Sequence, residues 1–246
     1  MTLTLSIGVL GPLIIENEDC RPVKITRKAR ALVAFLAVQQ GHAISRERLA
    51  DLLWPYQTSD HARQSLRNCL LKIREALGLS AAHYMDSDNT NCRIQNVVVD
   101  LDRFERLSRS QLRSELQAAA DLYRGEFLAD CNIDAEPFQE WLAVERDRTL
   151  AVVCDVLRRL AADQDAAGEH DAAIETGRRL VALDPLSELG QRILIRALAH
   201  AGRRGEALLQ YKSFAETLER ELGVAPEAKT QTFVEMILTS DRRDRD

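Results

Sequence analysis

Between Ser59 and Leu77 the chain gathers side chains whose types and spacing suit the reading of a nucleic acid. At about 100° per residue, a helix there places Leu66, Leu70, Ile73 and Leu77 in one apolar stripe. Gln64, Asn68, Leu71 and Lys72, with Glu75, fall most nearly opposite, while Arg63, Arg67 and Arg74 share one flank and Ser65 lies on the other. Amide side chains pair with adenine edges, an ammonium group with guanine and an alkyl group with the thymine methyl. Gln64, Asn68, Leu71 and Lys72 are therefore the expected base readers, and Arg63, Ser65, Arg67 and Arg74 the expected phosphate contacts. A solvated surface helix shows the same division of faces, so the choice between the two rests on context.

Charge supplies part of that context. The chain of 246 residues has a net charge of -5, yet between residues 21 and 74 eleven Lys and Arg side chains meet only Glu47, Asp51 and Asp60. That local excess of eight leaves -13 for everything else, so one cationic block sits on an otherwise acidic chain. Such asymmetry points to a localised contact with a polyanion.

The elements that must hold the basic helix are legible on either side of it. Leu3, Leu5, Ile7 and Val9 alternate, Gly11-Pro12 marks a turn, and Leu13-Ile14-Ile15 and Val23-Lys24-Ile25 follow, which predicts three short strands in an antiparallel sheet. Lys28 to Gln40 reads as a first helix stopped by Gly41. Ser45 is a good N-cap for a second helix carrying Leu49, Leu52 and Leu53, and Trp54-Pro55 ends it. Ser45 and Arg46, with the free N–H groups of that helix start, are expected to meet phosphate oxygens. After the basic helix and Gly78, residues 83 to 100 return to strand character around a turn-rich Asp86-Ser87-Asp88-Asn89-Thr90-Asn91, as the wing of a winged helix requires. Arg93 lies on this hairpin, either reaching the neighbouring minor groove or its phosphates on the DNA backbone, or serving as an ordinary surface cation.

From Leu101 the composition turns to Ala, Leu, Glu and Arg, and the domain boundary is expected near residue 100. Helices are predicted at about Leu101 to Gly125, Pro137 to Gly168, Asp171 to Leu183, Ser187 to Ala201, Arg204 to Leu222 and Glu227 to Thr239, followed by a frayed tail from Asp241 to Asp246. Ala167-Gly168-Glu169-His170-Asp171-Ala172-Ala173-Ile174 matches Ala201-Gly202-Arg203-Arg204-Gly205-Glu206-Ala207-Leu208 in pattern at an offset of 34 residues, the period of a tetratricopeptide hairpin. The predicted architecture is mainly α: a winged helix over 1–100, itself α+β, then an all-α, tetratricopeptide-like hairpin domain over 101–246. Tyr123, Trp141, Tyr211 and Phe214 are expected in its packing.

Other function classes find little support. Cys20, Cys69, Cys92, Cys131 and Cys154 are far apart, without a C-x-x-C pair or a His at ligand spacing, so they read as free buried thiols with no metal site. The five His are scattered, and P-loop, G-x-S-x-G and H-E-x-x-H motifs are absent, so neither an enzyme nor a cofactor is expected. No apolar run approaches the ~18 residues of a membrane span, and the expected location is the cytoplasm. A hairpin-repeat scaffold for proteins alone is the rival to a DNA reader, but it leaves the basic helix and the wing unexplained.

Leu10-Gly11-Pro12-Leu13, Arg27-Lys28-Ala29-Arg30-Ala31-Leu32, Ser45-Arg46-Glu47-Arg48-Leu49, Leu52-Leu53-Trp54, Leu66-Arg67-Asn68 and Ile73-Arg74-Glu75-Ala76-Leu77-Gly78 resemble the SARP-type bacterial activators, the Streptomyces antibiotic regulatory protein family. Leu122-Tyr123-Arg124-Gly125-Glu126-Phe127-Leu128, Glu140-Trp141-Leu142-Ala143-Val144-Glu145-Arg146, Leu183-Asp184-Pro185-Leu186 and Glu221-Leu222-Gly223-Val224-Ala225-Pro226 are similar to the bacterial transcriptional activation domain that follows in that family. The resemblance implies a protein that binds double-stranded promoter DNA as a side-by-side pair on direct repeats and recruits RNA polymerase through its sigma or alpha subunit. By the same resemblance Pro55, Tyr56, Gln57 and Thr58 would face polymerase, with Trp54 in the core. Two positions depart from the family pattern: Thr26 stands where Gly is frequent, and Glu75 where Arg is frequent, which reduces the phosphate contacts at the end of the basic helix. The ATPase, phosphopeptide-binding and cyclase modules of longer relatives are expected to be missing, so a control signal would act through these two domains, through expression level or through another protein.

Overall fold

The computed structural model describes residues 4–243, so Leu3 and the last three residues of the expected frayed tail lie outside the described residues. The chain forms two compact units, one of residues 1–109 and 121–149, the other of 110–120 and 150–246. This division differs from a single cut near residue 100, because a later segment joins the first unit.

In the first unit β1 (Leu5–Gly8) pairs antiparallel with β2 (Ile14–Glu16) and, on its other edge, parallel with β6 (Val97–Val99), in register Leu5 to Val97. The third strand is therefore not the expected Val23-Lys24-Ile25. The chain there makes one bridge, between Glu16 and Pro22 just before that run, and one bond from Val23 N–H to Ile15 O before turning into a helix. Proline lacks the N–H a ladder needs, and Val97 to Val99 take the free edge of β1. The register brings Asp100 beside the end of β1, where its carboxylate accepts the Val9 and Leu10 N–H groups at 2.8 and 3.2 Å.

α1 (Arg27–Ala37) buries Leu32, Val33, Phe35 and Leu36. β3 (Ile44–Ser45) leads into α2 (Arg46–Leu53), whose N-cap Ser45 accepts the Arg48 N–H at 3.2 Å, as the sequence predicts. α3 spans Ser59–Leu77, with Leu66, Leu70 and Ile73 buried, joined by Ala62 and Cys69. The short α4 (Ala81–Tyr84) precedes the wing, in which β4 (Met85–Ser87) and β5 (Asn91–Ile94) pair antiparallel and β3 adds to the other edge of β5. Asp88 ties the wing turn by accepting the N–H groups of Thr90 and Asn91 at 2.6 and 2.7 Å. Those bonds hold its carboxyl below the usual aspartate range.

The helix expected from Leu101 to Gly125 is two helices, α5 (Asp100–Ser108) and α6 (Arg113–Leu122). Leu107 and Leu116 are both buried but nine residues apart, which in one continuous helix would put them on opposite faces. The chain breaks between them, where the Leu112 N–H donates to Ser110 Oγ. Residues 121–149 then close on the winged helix. The N–H groups of Arg124, Leu128 and Ala129 donate to the carbonyls of Leu10, Val9 and Gly11. The Arg124 guanidinium meets Asp100 at 3.1 Å, and Asp130 accepts from Leu13 N–H and Arg30. Trp141 packs edge-on against Phe35 and Phe127 and near Phe138, with ring centroids 4.9, 6.0 and 5.2 Å away. It is half-buried, as is Tyr211, whereas Tyr123 and Phe214 are fully in the core.

α7 (Glu136–Ala166) continues into the second unit, followed by α8 (His170–Leu183), α9 (Glu188–His200), α10 (Arg204–Leu222) and α11 (Ala228–Arg243). Ala173, Ile174, Leu194, Ile195, Leu198, Ala207 and Val234 form a shared core of these last four helices. The 34-residue repeat has a structural counterpart. Gly168 and Gly202 both adopt positive φ, 79° and 73°. The next N–H, of Glu169 and of Arg203, donates back to Gln164 O and Leu198 O, so both turns are the same glycine-capped helix end. Among the described residues, no helix is long and apolar enough to cross a membrane.

Candidate nucleic-acid interface

With its stripe buried, α3 leaves its other face open. Gln64, Asn68, Leu71 and Lys72 are all exposed, and Leu71, at 54%, is an apolar side chain with a free flank. Gln64 Nε2 donates to Asn68 Oδ1 at 3.1 Å, one turn along. The pair then keeps one acceptor, Gln64 Oε1, and the Asn68 Nδ2 donors facing outward, the complement of an adenine edge. At about 28 Å long, the helix is of a size to lie along a major groove.

The cations expected on phosphates divide into two groups. Arg67 and Arg74 are exposed and make no hydrogen bond or ion pair among the described residues, and Lys72 is in the same condition. Arg63 is exposed, within loose reach of Asp60 and Glu47 at 3.7 and 4.0 Å, a pairing that a phosphate can displace. The other group is committed within the protein. Arg93 stands directly across the wing from Asp86 and holds it through Nε and Nη2 at 3.0 and 2.7 Å. Arg46 donates to Asp88 O at 2.9 Å, and its own N–H donates to Thr90 O, so it fastens the wing to α2. Ser65 is half-buried and donates to Gln57 Oε1 at 2.8 Å. At the start of α2, the N–H groups of residues 46 and 48 already have acceptors, Thr90 O and Ser45 Oγ.

The loop before α3 is a formed turn. The Gln57 N–H donates to Trp54 O, and Ser65 fixes the Gln57 side chain. Trp54 is buried beneath the Lys28 ammonium, 5.1 Å from its ring. Lys28 also donates to Leu53 O, ending α2, and burial pulls its pKa down against the opposing pull of Asp134. Tyr56, by contrast, is 68% exposed, with Thr58 exposed beside it and Pro55 half-buried.

Two clefts flank the outward face of α3. One, of about 400 Å³, is lined by Thr26, Arg27, Lys28, Ser65, Asn68 and Lys72 among others, and another, of about 600 Å³, by Lys24, Thr26, Lys72 and Glu75. Exposed Lys24 and Arg27 thus stand beside the face expected to read bases. Both belong to the cationic block, but nothing local in the sequence says that the start of α1 lies against α3. A third cleft of about 310 Å³, between α2, α3 and the wing turn, is lined by Ser45, Arg63, Arg67, Asn89 and Thr90 among others.

The sequence pattern described as the bacterial transcriptional activator domain matches residues 99–238, more than half of the chain. The chain belongs to that family. It also matches, over residues 20–86, the pattern described as the C-terminal part of transcriptional regulatory proteins. With both patterns in order it is a SARP-type activator, a DNA-binding transcriptional regulator. Regulatory protein DnrI of Streptomyces peucetius is 29% identical to it over 96% of this chain and 93% of DnrI. Regulatory protein AfsR of Streptomyces coelicolor is 27% identical over 96% of this chain, which spans only 24% of AfsR. Mycobacterium tuberculosis EmbR, solved in complex with a low affinity phosphopeptide, has the same fold with a TM-score of 0.76 at 23% identity, covering 97% of this chain and 66% of EmbR.

Proposed function

We propose that this activator docks α3 in the major groove of promoter DNA, two copies side by side on direct repeats, and recruits RNA polymerase. The observation that carries this reading is the outward face of α3. Gln64, Asn68, Leu71 and Lys72 project from it beside Arg67 and Arg74, none of them taken up by an ion pair among the described residues. In this reading Gln64 and Asn68 together contact adenine, Lys72 guanine and Leu71 a thymine methyl, with Arg63, Arg67 and Arg74 on phosphates. Lys24 and Arg27 extend the phosphate contacts past Glu75. Arg46, Ser65 and Arg93 act indirectly, by fixing the wing and the loop that flank the helix.

Residues 1–100 carry DNA recognition in this scheme and 101–246 the activating role, the wider first unit adding residues 121–149 as a brace. Exposed Tyr56 and Thr58, beside the fixed Gln57 and Pro55, form the polymerase contact, on its sigma or alpha subunit. The protein works in the cytoplasm and is not an enzyme. A second reading, a hairpin-repeat scaffold that binds proteins alone, draws on a groove of about 510 Å³ in the second unit with Leu189, Phe233 and Met236 on its walls. Transcription reconstituted from purified polymerase and a bound promoter separates them. Activation that Tyr56→Ala abolishes without weakening DNA binding supports recruitment. Failure of the wild-type chain to bind any host promoter fragment at low ionic strength favours the scaffold.

A further inference from the structure

Three side chains distant in sequence meet at the first repeat turn of the second unit. Asp165, near the end of α7, is buried, and its Oδ1 lies 3.1 Å from His170 Nδ1 at the start of α8 and 2.9 Å from His200 Nδ1 at the end of α9. The ligating atoms of all three lie within 4.8 Å of one another, and no other such group of His, Cys, Asp or Glu occurs among the described residues. The spacing of five and then thirty residues hides the cluster from a search for ligand motifs, so the sequence-based expectation of no metal site does not extend to it.

We propose that Asp165, His170 and His200 bind a divalent transition metal of the zinc class. Zinc takes imidazole nitrogen and carboxylate oxygen at about 2.0–2.2 Å in a tetrahedron, which sets ligand atoms about 3.3 Å apart. The two nitrogens therefore need to retreat from the oxygen by only a few tenths of an ångström, and, standing within 4.8 Å of each other, to turn toward one another to reach that spacing. Both imidazoles aim the same nitrogen at the same oxygen, and neither Nε2 has a partner among the described residues. Arg196 Nε donates to Asp165 Oδ2 at 3.0 Å, which orients the carboxylate and leaves Oδ1 as its one ligating atom. His170 is partly exposed and His200 half-exposed, so water has access to a fourth position.

Comparison of the two repeats points the same way. At the offset of 34 residues, Asp165 corresponds to Ala199 and His170 to Arg204, although both turns have the same backbone. A buried carboxylate is thus not something this turn requires for packing. Filled, the site would join the ends of α7 and α9 to the start of α8, coupling the order of the hairpin stack to metal supply.

The test uses the full chain, free of any tag, in a Cys20→Ser background because Cys20 is an exposed thiol that can take zinc by itself. Zinc binding is followed by calorimetry at neutral pH, cobalt binding by its visible absorption, and thermal unfolding is recorded with and without zinc. Expected are one metal per chain, tetrahedral cobalt bands, and a rise in unfolding temperature with zinc, with affinity reduced by at least about tenfold in His200→Ala or His170→Gln. His200→Ala removes a half-exposed side chain and His170→Gln keeps a polar one, so a change in both is not an unfolding effect; circular dichroism checks this. Zinc uptake by neither the parent nor the variants, or equal uptake by all three, overturns the proposal.

Discussion

Replacing Arg67 and Arg93 with Ala separates cations that face DNA from cations that hold the protein together. By residue type the two are equivalent, yet Arg67 is exposed without a partner among the described residues and Arg93 is bound twice to Asp86. Each phosphate neutralised on duplex DNA contributes about -0.9 to the slope of log affinity against log salt. At about 0.1 M salt, loss of one contact corresponds to 0.9 log units, roughly eightfold or about 1.2 kcal/mol, the same for specific and unrelated duplexes. Arg67→Ala is expected to lose about that much and to flatten the slope by about 0.9. Arg93→Ala is expected to leave the slope unchanged while loosening the wing, seen as faster amide exchange in β4 and β5. Fluorescence anisotropy with a labelled promoter duplex from 50 to 200 mM salt measures both. If Arg93→Ala flattens the slope and Arg67→Ala does not, the division of the cations is mistaken.

Phe35 is 2% exposed and packs on Trp141, so Phe35→Ala is expected to destabilise the first unit by about 3–5 kcal/mol, read from urea unfolding followed by tryptophan fluorescence; a loss well under 1 kcal/mol would mean that residues 121–149 do not brace the winged helix. The wing turn should respond to acid in a defined direction. Asp88 is held below the ordinary aspartate value by its backbone bonds to Asn91 and Thr90, so its contribution is full above the unfolded pKa and is lost as the pH falls through the lower folded one. The Thr90 and Asn91 amide shifts should therefore stay constant at neutral pH and move only below about pH 4, and a midpoint above that value would contradict the capping role.

Legibility in the sequence followed the range over which each feature is determined. α3 keeps the bounds read from the sequence and buries Leu66, Leu70 and Ile73 of the expected stripe, with Leu77 half-buried, since the stripe and the closing Gly78 are local signals, and the Ser45 cap and the paired glycine turns are equally local. The parallel partner of β1 is not local. Val23 to Ile25 and Val97 to Val99 look alike as short apolar runs, and only the path of the chain decides which one fills the edge. The break between α5 and α6 was recoverable in principle from the half-turn phase shift between Leu107 and Leu116. Which of the expected phosphate contacts are free was not recoverable, because Arg46, Arg93 and Ser65 are taken by groups that the fold delivers. The placement of Lys24 and Arg27 beside α3, and of His200 beside Asp165, depends in the same way on tertiary geometry.

The claim on which the functional reading depends is that the outward face of α3 reads base edges. Selection of bound duplexes from a randomised pool, run in parallel with the wild-type chain and with Asn68→Ala, tests it most directly. The expected result is a preference that relaxes at one base position per site, with a cost of about 1–3 kcal/mol on the preferred duplex and the rest of the motif retained. Recovery of an unchanged motif at unchanged affinity would place Asn68 outside the groove and contradict the docking of α3.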